Sequence, residues 1–272
     1  MRLTISTWNI NSVRLRIDLV AKFVKAVRPD ILCLQETKCP DDRFPLKRLR
    51  RLGYEHAALN GQRGYHGVAV LSRLPFDHVS IEGFGGKSDS RHVAVVIGER
   101  AGMRDPLTVH NIYVPAGGDA PDVNVNPKFA HKLQFLDDMR SSLQLKPDRD
   151  RAILVGDLNV APLEHDVWSH RQLIDVVSHT PIECDRLNAV QRAGHWIDIM
   201  RMLVPEPTKL YTWWSYRSPD WAAVNKGRRL DHIWVAPTLG DRVASMAVSK
   251  QTRSWPQPSD HVLSARRSKS SA

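Results

Sequence analysis

The chain has 272 residues, 42% hydrophobic and 25% charged, a balance that excludes a disordered chain and allows one large domain or two small ones. Its 39 Lys and Arg against 29 Asp and Glu give a formal charge of +10, which favours a polyanionic partner because neutralised phosphates release counterions. No apolar run approaches the ~20 residues needed to cross a bilayer, and Met1-Arg2-Leu3-Thr4-Ile5 passes directly into a strand-like pattern, so a soluble, cytoplasmic protein is expected.

Residues 3–7 open the chain as a strand. Ser12 then reads as the N-cap of a helix carrying Val13, Ile17, Val20, Val24 and Val27, stopped by Pro29. Further strands are predicted at 31–35, 68–72, 93–97 and 107–114. A second helix places Phe129, Leu133, Leu136 and Leu143 on its buried face, and strands follow at 152–156 and 233–235. Trp8, Trp196 and Trp234 sit in apolar patterns and read as core, as does Cys33. Cys33, Cys39 and Cys184 cannot all pair and lack the close spacing of zinc ligands, which fits a reducing compartment. Strands and helices mix along the whole length with no linker or repeat, so a single α/β domain over residues 1–265 is expected, followed by a mobile basic tail at 266–272.

Several strands end in acids and amides: Trp8-Asn9-Ile10-Asn11, Leu34-Gln35-Glu36-Thr37-Lys38, Gly156-Asp157-Leu158-Asn159, Leu230-Asp231-His232 and Ser259-Asp260-His261. Taken singly, such residues start turns, and Glu36 can simply pair with Lys38. Together they put oxygen donors where α/β folds place chemistry. With no Cys or multi-His cage among them, the donor set suits Mg²⁺, with Mn²⁺ as the alternative.

These strings resemble the exonuclease III branch of the endonuclease/exonuclease/phosphatase superfamily. The resemblance runs through Trp8-Asn9-Ile10-Asn11-Ser12-Val13-Arg14, Pro29-Asp30-Ile31-Leu32-Cys33-Leu34-Gln35-Glu36-Thr37-Lys38, and Gly64-Tyr65-His66-Gly67-Val68-Ala69-Val70-Leu71-Ser72. Asn111-Ile112-Tyr113-Val114-Pro115, Gly156-Asp157-Leu158-Asn159-Val160-Ala161-Pro162, Arg229-Leu230-Asp231-His232 and Ser259-Asp260-His261 complete it in the family's order. It implies a deoxyribonuclease-I-like four-layer sandwich, two packed mainly antiparallel β-sheets flanked by helices. It also implies a Mg²⁺-dependent repair nuclease acting as a monomer on double-stranded DNA, cutting 5′ to abasic sites and clearing blocked 3′ ends or nucleotides.

By that resemblance Glu36 is the principal metal ligand, Asn9 and Asp260 are oxygen donors around it, and Asn11 holds a metal-bound water. His261, oriented by Asp231, fits the histidine beside the attacked phosphate, and Asp157 is the other candidate for activating water. Asn159 fits a donor to a nonbridging oxygen, and Tyr113 sits against the scissile phosphate. Arg14, Lys38, Tyr65, Arg91, Lys128 and Lys132 match or lie near DNA-backbone contacts of relatives. Trp213, Arg228 and Leu230 fall in the segment resembling the pocket for the base-free sugar. Arg228 departs from the Trp or Leu usual there; the reading followed is that it faces a phosphate, with stacking on Trp213 or a solvated place at the rim as alternatives. Ala116, after Tyr113-Val114-Pro115, replaces a polar residue seen in some relatives. The competing readings are a secreted or lipid-directed member of the superfamily and a binding protein that has lost the chemistry. Against the second, Glu36, Asp157, Asn159, Asp231 and His261 are all present.

Overall fold

Short apolar runs rich in β-branched residues make strands where both faces can be covered. The computed structural model, which describes residues 2–146 and 151–268, sets such runs into two packed sheets. In chain order the strands are β1 (Thr4–Asn9), β2 (Ile31–Gln35), β3 (His56–Asn60), β4 (Val68–Ser72), β5 (His78–Ser80), β6 (His92–Ile97), β7 (Leu107–Tyr113), β8 (Ala152–Asp157), β9 (Ile197–Asp198), β10 (Trp213–Trp214), β11 (Gly227–Arg228), β12 (Asp231–Val235), β13 (Val243–Ser249) and β14 (Leu263–Ser268). The α-helices are α1 (Ile17–Val27), α2 (Leu46–Arg50), α3 (Pro127–Ser141), α4 (His170–Leu173), α5 (Pro181–Ala193), α6 (Ile199–Leu203) and α7 (Trp221–Val224).

One six-stranded sheet runs β13-β14-β1-β2-β4-β3 and the other β5-β6-β7-β8-β12-β9, with β10 and β11 as a separate pair. Each large sheet contains one parallel pair, β1 with β2 and β7 with β8, among otherwise antiparallel neighbours. Period-2 alternation then divides the apolar residues between layers. Ile31, Cys33, Val68 and Val70 meet Val93, Val95, Val109 and Val155 between the sheets. Their neighbours Leu32, Leu34, Ala69 and Leu71 pack outward on Val20, Phe23 and Val24 of α1. On the other outer face Ile112, Leu154 and Trp234 pack on Phe135, Leu136 and Met139 of α3 and Leu187 and Val190 of α5. Each such side chain contributes about 1.5–3 kcal/mol by leaving water. The four-layer sandwich follows, and Trp8, Trp196, Trp234 and Cys33 are buried in it.

The first helix starts later than expected. Ser12 N and Val13 N donate to Glu36 O (2.7 Å) and Thr37 O (3.1 Å), which holds these residues beside the β2 exit. Arg16, not Ser12, therefore stands at the cap position, with no side-chain cap bond. Leu143 is also corrected: α3 ends at Ser141, and Leu143 beyond it is 82% exposed. At the C-terminus β14 pairs Arg266 and Arg267 with Ile5 and Thr4, so residues 266–268 belong to the sheet and not to a tail. The rest of the expected tail lies outside the described residues.

Candidate active site

The two parallel pairs decide where the chemistry gathers. Because β1 and β2 run the same way, Asn9 lies beside Gln35, and Glu36 follows at once. Because β7 and β8 run the same way, Tyr113 lies beside Asp157; β12 runs against β8, so its first residue, Asp231, faces Asp157. All these strand ends open at one end of the sandwich. The turns there are tight: Asn11, Glu36, Lys38, His66 and Asn159 adopt φ of 46°, 50°, 52°, 56° and 52°, a left-handed conformation that non-glycine residues take reluctantly and that clusters at functional sites.

Asn9 is the hub. Its Nδ2 donates to Glu36 Oε1 (2.9 Å) and to Asp157 Oδ2 (2.8 Å), while its Oδ1 accepts from the Asn11 amide (3.1 Å). The Tyr113 hydroxyl donates to the same Glu36 oxygen at 2.8 Å. Asn11 links the remaining pieces. Its Nδ2 donates to Asp260 Oδ1 (3.2 Å), and its Oδ1 accepts from Lys38 Nζ (2.5 Å), which also pairs with Glu36 Oε2 (2.9 Å). Trp213 Nε1 holds the second Asp260 oxygen at 3.0 Å. His261 closes the cluster with Nδ1 2.8 Å from Asp231 Oδ2 and Nε2 3.5 Å from Asp157 Oδ2. Asn159 folds back on Asp157, its backbone amide donating to Oδ1 (3.0 Å) and its Nδ2 to Oδ2 (3.2 Å).

The electrostatics follow from burial. Asp157 is pushed well above the usual carboxylate range, chiefly because burial disfavours its charge, with Asp231 adding to the effect and His261 opposing it. Burial works against a charged His261, but the Asp231 and Asp157 carboxylates outweigh it and hold the imidazole well above its ordinary pKa. Burial likewise opposes ionisation of Glu36, yet Lys38 and the Asn9 amide leave it below its ordinary value and charged at neutral pH. Tyr113, raised by burial and then by the Glu36 and Asp157 carboxylates, remains a donor.

Glu36, Asp157, Asp231 and Asp260 crowd this end with Lys38 and His261 as their cationic neighbours, and carboxylate oxygens are the donors a hard divalent cation takes; Asn9, in contrast, turns its Nδ2 to Glu36 and Asp157 and its Oδ1 to the Asn11 amide. Among the described residues, Asp157, Asp231 and His261 form the group whose ligating atoms lie within 4.8 Å of one another. Their geometry, with the imidazole of His261 set between two carboxylates, also suits an acid–base cluster.

The other expected positions divide. Trp213, Arg228 and Leu230 line a cleft of about 790 Å³ that also contains Glu36, Asp157 and His261. Arg14, Tyr65 and Lys128 are exposed. Lys132 is fully buried and Arg91 nearly so, which removes both from the DNA-facing set. Arg91 pairs with Asp89, donates to Tyr113 O (3.3 Å) and lies over the Tyr113 ring at 4.8 Å, so it supports the tyrosine. Arg228 is not extended toward a phosphate. Its Nη1 donates to Val177 O (3.0 Å) and Ser178 Oγ (2.8 Å), and its guanidinium lies 5.4 Å from the Trp213 ring centre. The adjacent Arg229 is a buried bidentate partner of Asp166 at 2.7 and 2.8 Å.

Some supporting residues carried no assigned role in the sequence. Gln35 Nε2 donates to Asn111 Oδ1 (2.7 Å), and Asn111 Nδ2 crosses between the sheets to Leu34 O (3.0 Å) and Ala69 O (2.9 Å), fixing the end of the strand that leads into Glu36. Ser259 Oγ donates to Asn9 O (2.6 Å) and accepts from His261 N (3.2 Å). The available signal was a polar side chain inside an apolar strand, as at Asn111 in β7.

Residues 6–261 match the model of the endonuclease/exonuclease/phosphatase family, a span that contains every member of this cluster. The chain belongs to that family. Exodeoxyribonuclease III of Haemophilus influenzae is 28% identical over 266 residues, covering 94% of this chain and 96% of its own. Among solved structures, an AP endonuclease from Archaeoglobus fulgidus superposes with a TM-score of 0.87 at 31% identity, over 97% of this family member and 98% of the other chain. A 3′ phosphatase from Neisseria, solved bound to a product DNA hairpin, gives the same TM-score at 28% identity, with 97% and 98% covered. The exonuclease III resemblance of the sequence and the deoxyribonuclease-I-like fold thus agree, and the chain is a hydrolase of this family. No helix among its described residues is long and apolar enough to cross a membrane.

Proposed function

We propose that the protein is a Mg²⁺-dependent DNA repair phosphodiesterase that incises duplex DNA 5′ to abasic sites and clears blocked 3′ ends, working in the cytoplasm as a monomer. The observation that carries this reading is the continuous chain from Glu36 through Asn9 and Asp157 to His261 and Asp231, of which Glu36, Asp157 and His261 line the cleft. The likeness to proteins named as exodeoxyribonuclease III, AP endonuclease and 3′ phosphatase supports DNA as the substrate, as does the +10 charge.

Phosphoryl transfer asks a protein mainly for positioning and charge. Glu36 and Asp260, with Asn9 once its amide turns its oxygen inward, would hold a divalent ion, which when bound would supply polarisation of the phosphate and stabilisation of the leaving oxyanion. Asp157, its pKa raised by burial, is the better base for an attacking water, because a base is most effective near the working pH. His261, kept protonated by Asp231 and Asp157, is suited to donate to the oxygens on which charge grows. Tyr113 and Asn159 complete the donors around that phosphate.

The test compares three labelled duplexes: one with a single abasic analogue, one intact and one ending in a 3′-phosphate, each with Mg²⁺, with Mn²⁺ and with chelator. Cleavage of the first and third that vanishes with chelator is expected. Rates insensitive to chelator, or a preference for a small phosphate ester with no salt dependence, would overturn the reading.

A further inference from the structure

Lys132 lies in the middle of α3 with no exposed surface, and Glu183 of α5 is equally buried. The Lys132 ammonium pairs with the Glu183 carboxylate and also donates to Asn159 O (2.8 Å) and Ala116 O (3.3 Å). Glu183 in turn accepts from Ser178 N (3.0 Å), Thr180 N (3.3 Å) and Thr180 Oγ1 (2.6 Å). One ion pair therefore ties together the connection after β7, the turn after β8 and the segment leading into α5. Gly117 makes room for it: a Cβ there would sit 2.8 Å from Lys132 Cδ.

Stability alone is a weak reason for this arrangement, because two charges withdrawn from water are often replaced by apolar side chains at little or no loss. An apolar side chain could not, however, hold the Asn159 carbonyl. Asn159 sits at φ 52°, and it is this left-handed turn that points its amide and side chain back at Asp157. A buried carbonyl left without a donor is costly and favours opening of the turn. The Lys132 ammonium grips the turn from behind, while Asp157 and Asn159 face the cleft from in front.

We infer that Lys132, paired with Glu183, is a positioning residue for Asp157 and Asn159, acting through the backbone of the β8 turn and not through DNA. The inference rests on the catalytic reading of that turn given above. Lys132→Met alone strands a buried carboxylate and endangers folding, so the informative variant is Lys132→Met/Glu183→Gln, which removes both charges and leaves an amide oxygen to accept from Ser178 N. With the 3′-phosphate and abasic duplexes at saturating Mg²⁺, this double variant should still unfold cooperatively, at a Tm lowered by the unpaired Asn159 carbonyl, and keep a nearly unchanged KM, while kcat falls on the order of 10²-fold. Lys132→Arg, which keeps a donor for the Asn159 carbonyl, should recover most of that loss. Wild-type kcat in the double variant overturns the inference, as does a rise in KM with kcat retained, which would return Lys132 to substrate binding. A crystal structure of the double variant with Asn159 still folded onto Asp157 overturns it as well, whatever the activity. Failure of the wild type to cleave either duplex counts against the functional reading instead, and leaves that structural comparison to decide the role of Lys132.

Discussion

Asp157 and Asp231 stand opposite each other across the antiparallel β8–β12 pair, with the ring of His261 reaching between them. Two buried carboxylates in that relation repel, and an imidazolium between them offsets the repulsion. The same contact fixes which imidazole nitrogen faces Asp231 and keeps the ring charged. Asp231 is thus a carboxylate whose effect on the phosphate passes through His261.

Replacing Asp231 with Asn keeps the shape and removes the charge. The pKa of His261 should fall, so the alkaline limb of the kcat profile should move to lower pH, with kcat reduced on the order of 10²- to 10⁴-fold. A pH–rate profile of the Asp231→Asn enzyme checks this. An unmoved alkaline limb would remove His261 from the proton-holding role.

Glu36→Gln leaves an oxygen able to accept from Asn9 and Tyr113, so the fold should survive, but the charge that anchors a cation is gone. Activity should drop by orders of magnitude, and the rise in Tm that a bound ion gives the wild type should disappear. Thermal denaturation with and without Mg²⁺ reads this apart from catalysis. A Glu36→Gln enzyme that cleaves normally and is still stabilised by the ion would place the metal elsewhere.

Strands buried on both faces were legible because their apolar runs are continuous: β2 and β4 occupy the expected 31–35 and 68–72. The edge and short strands were not. β5 reads His78-Val79-Ser80 and is largely exposed, while β13 is buried only at Val243 and otherwise half-buried or exposed, so neither presents a run. Within the site, the acids and amides at strand ends came together as expected, since parallel pairing brings successive strand ends to one place. What a linear reading could not supply was the partner of each cation. Lys132 finds Glu183 51 positions away and Arg229 finds Asp166 at a separation of 63, so a lysine that looked available to DNA, and an arginine that adds to the net charge, are committed inside.

Buried neutral histidines set the acid limit of the fold. His92 accepts the Glu82 amide at Nδ1 (3.0 Å) and meets His110 Nδ1 with Nε2 (3.2 Å), while His232 Nε2 donates to Val160 O (2.8 Å). Burial pushes their pKa values down to about 3, 4 and 4, with His110 adding to the shift of His92 and Arg229 to that of His232. Between about pH 6.5 and 4 the unfolded chain binds protons that the native one refuses, so stability falls as the pH drops, by up to about 1.4 kcal/mol per pH unit for each histidine. Asp157, raised by burial, opposes one of the three. His261, protonated in the native state throughout, opposes the decline only near pH 7 to 6, where the unfolded imidazole is still taking up its proton, and adds no slope below that. Urea denaturation at pH 7, 6 and 5 should show the decline, and His232→Gln should flatten it by one proton's share; a pH-independent midpoint would refute the assignment.

Arg228 bears on what the cleft admits. Trp168, Val176, Trp213 and Leu230 give it apolar walls, and Arg228 closes a further side with its guanidinium laid on Trp213 and fixed to Val177 O and Ser178 Oγ. A guanidinium so engaged is poorly placed to neutralise a DNA phosphate. Arg228→Leu should therefore leave duplex affinity and its salt slope nearly unchanged, whereas loss of a phosphate contact would lower that slope by about 1. The same change replaces an anchored polar wall with a smaller apolar one, giving a base-free deoxyribose more room. Shape discrimination of this kind is worth about 1–3 kcal/mol, so incision at an abasic analogue should rise about tenfold relative to removal of a 3′-phosphate. Both rates and the binding isotherm, measured at matched salt for wild type and variant, decide between the roles. An unchanged ratio with a reduced salt slope would mean that Arg228 leaves Trp213 to contact the backbone when DNA binds.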